Sequence, residues 1–398
     1  MALLDCILCG GTQPWDPFRY LCPSCLEPMV FARDARRRVF EDAKKRPLER
    51  YLDFLPLDAV NPRLDLGEGN TPLVPLYALA AEVGIRSLLG KCEMANPTSS
   101  FKDRGTAVAV QKAAVLGIEG IGTVSTGNMA ASTAAYGARA GLKTTILLKE
   151  ETPLSSLRAA GIFGPRLIRV KGDYGRLFGL ALEIGRELGI WFMNSADPVR
   201  VAGYKLAGFE IFRELGDDVP DYLVVPVSSG GHFTGLVRAF EDLVENGLSD
   251  RLPTFIGVQA EGCAPLVSAF AAGRARFERL DKARTIAHAI SNPAPPAGNS
   301  VLRMTRDHGG ILVSASDREI LAAQRLLASR EGLFVQPESA VALAGLLRLG
   351  REGRIRPEGR AVLVLTGSGL KAPKALESQT IGVEEADIED LERIIRRS

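Results

Sequence analysis

Along the chain, short apolar runs rich in β-branched residues alternate with longer stretches of helical character. The apolar runs are "SLLGKCE" from Ser87, "IGTVSTG" from Ile121, "TTILLKE" from Thr144, "RLIRVKG" from Arg166, "YLVVPVSS" from Tyr222, "TFIGVQAEG" from Thr254 and "AVLVLTGSG" from Ala361. Helices are predicted between them, among them one opening near Ser99 or Ser100, one at Asn128 and one at Phe233. Alternation of this kind predicts parallel sheet with helices on both faces. In such sheets ligands bind beyond the carboxyl ends of the strands, so the loops that follow the apolar runs carry the interest. Upstream, "ARDARRRVFEDAKKRPLER" reads as a charged helix joining an N-terminal module to the body. "NPAPPAGNS", residues 292 to 300, is a Pro-rich loop.

A chain of 398 residues suits two or three lobes rather than one core. Its net charge of +2 gives no field for nucleic acid or for a membrane surface. Runs such as "AVLVLT" have the length of buried strands, far short of a membrane span. The N-terminal stretch "MALLDCILCGG" lacks the basic lead of a secretory signal, and a cytoplasmic protein is expected.

Four of the six cysteines, Cys6, Cys9, Cys22 and Cys25, form two Cys-x-x-Cys pairs. That spacing suits two knuckles closing a tetrahedral thiolate site on zinc, and residues 1–30 are expected to be a zinc ribbon. Cys92 and Cys263 sit among apolar residues and are expected in the core.

Four loops carry candidate chemistry. In "NPTSSFKDRG" Lys102 is placed in a first helical turn, where the helix dipole disfavours a cation and favours the neutral amine that imine chemistry needs. Ser125, Thr126 and Gly127 stand before Asn128 at a strand-to-helix turn, a site for a carboxylate or phosphate. "VPVSSGGHFTG" places Ser228, Ser229, Gly230, Gly231 and His232 in a second such turn, read as a phosphate cradle without a Walker lysine. "VLTGSGLKAP" satisfies a dinucleotide fingerprint at Gly367, Gly369 and Ala372. Pro373 follows at once, and too little chain remains for the βαβ units that motif requires. Thr366, at the end of its strand, is read instead as a hydroxyl facing a ring nitrogen. One amine, one phosphate cradle, one strand-end hydroxyl and one Asn beside an anion-binding turn are what pyridoxal phosphate asks of a protein.

With those loops assembled, the sequence resembles the threonine synthase branch of the fold type II pyridoxal phosphate enzymes. The resemblance runs through "GEGNTPL", "NPTSSFKDRG", "STGN", "NSADPVRVAGYK", the Ser-Ser-Gly-Gly loop, "VQAEGCAPL", "EGLFVQPESA" and "LTGSGLK". It implies a fold like the tryptophan synthase β chain: a large cofactor-binding domain from residues 31–95 and 215–398, a small substrate domain from 96–214, and the ribbon ahead of both. It implies that Lys102 holds the cofactor, that Asn128 bonds its phenolic oxygen, that Ser228 to His232 bind its phosphate and that Thr366 faces its ring nitrogen. Ser125, Thr126 and Gly127 would hold the substrate carboxylate, and Asn194, Ser195, Arg200 and Lys205 the substrate phosphate. The implied activity is conversion of O-phosphohomoserine and water to threonine and phosphate by a homodimer. Three departures bear on the substrate: Met129 follows Asn128 where the family carries Thr, Ser228 to His232 replace Gly-Asn-Ala-Gly-Asn, and Ser368 stands where His or Asn is common. They leave room for a paralogue acting on another amino acid, by replacement on O-phosphoserine or by deamination of threonine or serine.

Overall fold

The computed structural model of the protein describes residues 2–33, 38–41, 44–150, 154–172, 174–372 and 395. Two sheets organise the body. The larger has six strands in the order Ile311–Ala315, Thr254–Ala260, Tyr222–Pro226, Arg360–Leu365, Ser87–Cys92 and Leu73–Pro75, all parallel except the last. The smaller has four parallel strands in the order Arg166–Val170, Lys143–Lys149, Gly120–Val124 and Ile190–Phe192.

The central strands of the large sheet are apolar throughout because both faces are covered. Leu223, Val225, Val362 and Val364 enter one core cluster, while Tyr222, Val224, Ala361, Leu363 and Leu365 enter the other. Successive side chains point to opposite faces, so an unbroken apolar run serves two cores at once.

A three-stranded antiparallel sheet of Thr12–Pro14, Leu3–Asp5 and Val30–Phe31 forms the N-terminal module. It leans on the small sheet, with the Trp15 and Trp191 rings 6.0 Å apart and the Tyr20 hydroxyl 3.4 Å from the Phe192 carbonyl oxygen.

Among the described residues the charged connecting segment is not helical along most of its length, contrary to expectation. Residues 34–37 and 42–43 lie outside the described residues, 38–41 are not helical, and only Pro47–Arg50 makes one helical turn. The reason is Phe40, whose ring packs 5.0 Å from Tyr51, 5.3 Å from Phe54 and 5.6 Å from Phe209. One half-buried aromatic ties the segment to the core, whereas a helix charged on every face would have buried little.

Candidate active site

The loop Asn96 to Phe101 crosses the end of the central strand Arg360–Leu365. The Phe101 amide donates to the Thr366 carbonyl at 3.0 Å, and the Ser368 amide donates to the Ser99 carbonyl at 3.1 Å. These bonds delay the helix, which opens at Lys102 and runs to Val115. No serine caps it, contrary to the sequence expectation: Ser99 has φ of 59° and the Ser100 hydroxyl is buried without a partner. Asp103 ties the turn instead, its carboxylate accepting from the Thr98 amide and hydroxyl, each at 2.6 Å.

Lys102 is half-buried, with Nζ 4.3 Å from the Phe101 ring centre and 5.8 Å from that of Tyr204. Burial, and then the Arg200 guanidinium, push its amine down from 10.5 to about 7. At neutral pH a large fraction of this amine is unprotonated, which is the form that attacks a carbonyl carbon or accepts a proton.

The second loop follows strand Tyr222–Pro226 and leads into the helix Gly231–Glu245. Gly230 has φ of 93°, a conformation open to glycine and strained for other residues. A Cβ on Gly231 would lie 2.1 Å from the Ser195 carbonyl oxygen, so the loops at 195 and 231 pack backbone to backbone. His232 stacks on Phe101, ring centres 3.8 Å apart at 20°, and meets Tyr204 edge-on at 5.5 Å. Both its ring nitrogens are buried and unpartnered. Burial, then Lys102 and Arg104, hold the ring neutral, well below the usual histidine range.

On the other side of Lys102, the Thr366 and Ser339 hydroxyls are 2.8 Å apart. Asn128 opens the helix Asn128–Arg139, and its Nδ2 donates to Gln336 Oε1 at 2.7 Å. The Gln336 amide in turn donates to the Gly367 carbonyl at 3.0 Å. Gln336 is a site residue that sequence reading missed. Its only signal was its place before Pro337 at a helix start, and its partner lies 208 residues away. Ser125, Thr126 and Asn128 are half-buried, and Gly127 is exposed. This leaves the turn from Ser125 to Asn128 open.

Of the residues assigned to a substrate phosphate, Asn194 accepts from the Val124 amide at 2.9 Å through Oδ1, while its Nδ2 is buried and unpartnered. Arg200 is fully buried, with one terminal nitrogen 2.8 Å from the Thr106 hydroxyl and Nε unpartnered. Lys205 is a correction. Its amine bonds the Asp242 carboxylate at 2.8 Å and the Phe54 carbonyl, so it faces the helix Gly231–Glu245 and residue 54 rather than the loops around Lys102. A lysine one helical turn and more beyond Arg200 points elsewhere on the same helix, and a buried carboxylate claims its charge.

Beside Lys102 on its helix, Arg104 enters an ion network, buried except at Glu214, that the sequence did not announce. Arg104 reaches Glu93 at 2.6 Å and Glu210 at 2.7 Å, and Lys91 reaches Glu210 at 2.9 Å and Glu214 at 2.8 Å. Burial would raise the Glu210 carboxyl, but Arg104 and Lys91 outweigh it and hold it at about 2.

In the N-terminal module, Cys6 and Cys25 Sγ are 3.5 Å apart, as are Cys9 and Cys22, and Cys9 and Cys25 are 3.8 Å apart. All four sulfurs lie within 4.8 Å of one another. Zinc–sulfur bonds of about 2.3 Å in a tetrahedron separate the sulfurs by roughly 3.8 Å, so the cluster suits that ion.

A nearly neutral lysine amine, a glycine turn at a helix start and a strand-end hydroxyl, brought together at the carboxyl ends of parallel strands, suit a phosphorylated aldehyde cofactor. The chain belongs to the pyridoxal-phosphate dependent enzyme family, whose signature matches residues 64–367. Within it the chain is similar to threonine synthases. It is 38% identical over 403 residues to that of Methanocaldococcus jannaschii, covering 99% of this chain and 99% of the relative. To that of Methanosarcina acetivorans it is 35% identical over 94% of this chain and 93% of the relative. Among solved structures, a serine racemase from Dictyostelium discoideum superposes with a TM-score of 0.64 at 18% identity, over 75% of this chain and 92% of that one. An L-serine ammonia-lyase from Rhizomucor miehei superposes at 0.65 and 20% identity, over 78% and 99%. These two structures share the fold.

Proposed function

We propose that the protein is a threonine synthase, which converts O-phosphohomoserine and water to threonine and inorganic phosphate. Similarity to curated threonine synthases along almost the whole chain carries the reading. The Lys102 amine, brought near neutrality between the two anion-binding turns, is the geometry that supports it.

Pyridoxal phosphate supplies, when bound, an electron sink for charge developing beside the substrate's amino group. Lys102 holds the cofactor and moves protons at the substrate's α and β carbons. The backbone of Ser228 to His232 takes the cofactor phosphate, Asn128 its phenolic oxygen and Thr366 its ring nitrogen. A hydroxyl at Thr366, already within reach of Ser339, leaves that nitrogen unprotonated, where a carboxylate would charge it. Ser125, Thr126 and Gly127 take the substrate carboxylate. Asn194, Ser195 and Arg200 receive the substrate phosphate, the buried Asn194 Nδ2 and Arg200 Nε being donors without partners in the protein.

The chain divides into a ribbon at 1–30, a large domain at 31–95 with 215–398, and a small domain at 96–214. The four cysteines of the ribbon bind one zinc ion. Elemental analysis should give one zinc per chain, and Cys9→Ser should bring it toward zero; an unchanged content in the variant would remove the assignment. No helix among the described residues is long and apolar enough to cross a membrane. A cytoplasmic location and a homodimer are the matching expectations, and sedimentation measures the second.

Phosphate release from O-phosphohomoserine, set against phosphate release from O-phosphoserine and 2-oxo acid formation from threonine and serine, tests the reaction. Turnover of the first should run well above that of the other three. A charge-assisted hydrogen bond is worth about 1.5 to 3 kcal/mol, so Arg200→Ala should lower kcat/KM roughly ten- to a hundredfold. Met129→Thr, which puts a hydroxyl in the first turn of the Asn128 helix, should keep or raise activity. No phosphate release by the wild type would overturn the reading in favour of a paralogue with another substrate.

A further inference from the structure

The N-terminal ribbon touches the loops that the chemistry uses. Ile7, Pro28, Met29 and Val30 of the ribbon close over a small cavity whose far wall includes Ala196, Gly231, Thr234, Ala297 and Ser300. Gly231 belongs to the glycine turn and Ala196 to the loop after strand Ile190–Phe192. Across the same seam, Asn299 Nδ2 donates to Glu27 Oε1 at 2.6 Å, with both side chains buried.

Glu27 is itself placed by the second cysteine knuckle. The Cys22 amide donates to the Glu27 carbonyl at 2.8 Å, and the Leu26 amide donates to the Cys22 carbonyl at 2.9 Å. On the far side, Asn299 lies in the first turn of the helix Gly298–Asp307. Ala297, just before that helix, holds the glycine turn: its amide donates to the Ser229 carbonyl at 3.0 Å, and its carbonyl oxygen lies 2.8 Å from where a Cβ on Gly230 would stand. Asn292, in the same Pro-rich loop, donates from Nδ2 to the Ser229 hydroxyl at 3.1 Å. The chain of contacts therefore runs from cysteine knuckle to Glu27, to Asn299, to Ala297 and into Ser229 and Gly230.

We infer that the ribbon is the backing of the phosphate cradle, and that Glu27, set by the metal-closed knuckle, is a positioning residue for cofactor phosphate. A flexible glycine turn binds an anion well only while its amides are held converging, and an ordering contact removes that cost before binding. The inference rests on the reading of Ser228 to His232 as the cradle for that phosphate.

The test uses the full-length protein stripped of cofactor and titrated with pyridoxal phosphate and, separately, with pyridoxal, which lacks the phosphate. Wild type, Glu27→Ala, Glu27→Gln and wild type with its zinc removed by a chelator are compared by the visible absorption of bound cofactor. Loss of one buried hydrogen bond corresponds to roughly a three- to tenfold weakening. Glu27→Ala and the zinc-free protein should lose that factor for pyridoxal phosphate and hold pyridoxal as wild type does. Glu27→Gln, which keeps an Oε1 acceptor for Asn299, should behave as wild type. Equal losses for both compounds would make the ribbon a general stabiliser and overturn the inference, as would no loss for either. If Glu27→Ala does not fold, the zinc-free protein and Glu27→Gln still decide between these outcomes. Failure of the wild type to bind either compound would instead strike the cofactor reading itself.

Discussion

Lys102→Ala should abolish the visible absorption of bound pyridoxal phosphate and lower threonine formation by about 10²- to 10⁴-fold or more, the range typical of one positioned proton-transfer group. The residue has two roles in the proposal, anchoring the cofactor and moving protons, so the loss should appear in both spectrum and rate. Lys371 is the alternative anchor to exclude. Its amine reaches the Thr98 carbonyl at 2.7 Å, in the loop that carries Lys102. A borohydride-reducible link surviving in Lys102→Ala would transfer the role to Lys371. The lowered amine also predicts a pH dependence. The rate at which cofactor-free protein captures pyridoxal phosphate should rise with pH as the amine loses its proton and level off above about 7. A lysine at its ordinary value would keep gaining reactivity toward 10.5. A capture rate still climbing at pH 9 would show that Lys102 is not desolvated in solution.

Arg104→Met should destabilise the protein by about 3 to 5 kcal/mol, the usual cost of leaving a buried ion pair half-occupied. Arg104 is fully buried between Glu93 and Glu210, and the Thr71 hydroxyl at 3.0 Å completes its shell. Removing the guanidinium leaves Glu93 without a cationic partner and Glu210 with Lys91 alone. Adding Glu93→Gln to Arg104→Met should restore part of the loss, because a neutral amide is cheaper to bury than an unpaired carboxylate. Urea unfolding midpoints measure both. A midpoint unmoved by Arg104→Met would mean that the network contributes nothing to stability and that the carboxylates find other partners. Arg104 stands two residues from Lys102 on one helix, while Glu93 follows strand Ser87–Cys92 and Glu210 lies on helix Pro198–Glu214. The network thus joins the base of the lysine helix to the large sheet and to the helix Pro198–Glu214.

Much of the site was legible because its parts are local. A strand that ends in Gly-Gly before an amphipathic helix, or a lysine at a helix start, is written within ten residues, and the glycine turn at 230 and the helix at 102 form where those signals stand. The strand Ile311–Ala315 was missed, being a five-residue edge run directly behind Gly309 and Gly310. Composition alone predicts a connecting helix, but its described residues 38–41 are not helical, and there Phe40 packs against the rings of Tyr51, Phe54 and Phe209. The family resemblance groups Lys205 with Arg200, yet Asp242, on another helix, holds it.

The sequence by itself determined the alternation of strand and helix, the four-cysteine module, and the loops that carry the lysine, the hydroxyls and the glycines, because each depends on spacing and on backbone preference within a short segment. Tertiary structure alone decided the electrostatics. Lys102 is driven toward neutrality by burial and by Arg200, which lies 98 positions away. Asn128 is oriented by Gln336, His232 is sealed against Phe101, and the ribbon reaches the glycine turn through Glu27 and Asn299. Burial and charge act through space and fall off with distance, so their outcome depends on which segments the fold stacks together, and no local pattern encodes it.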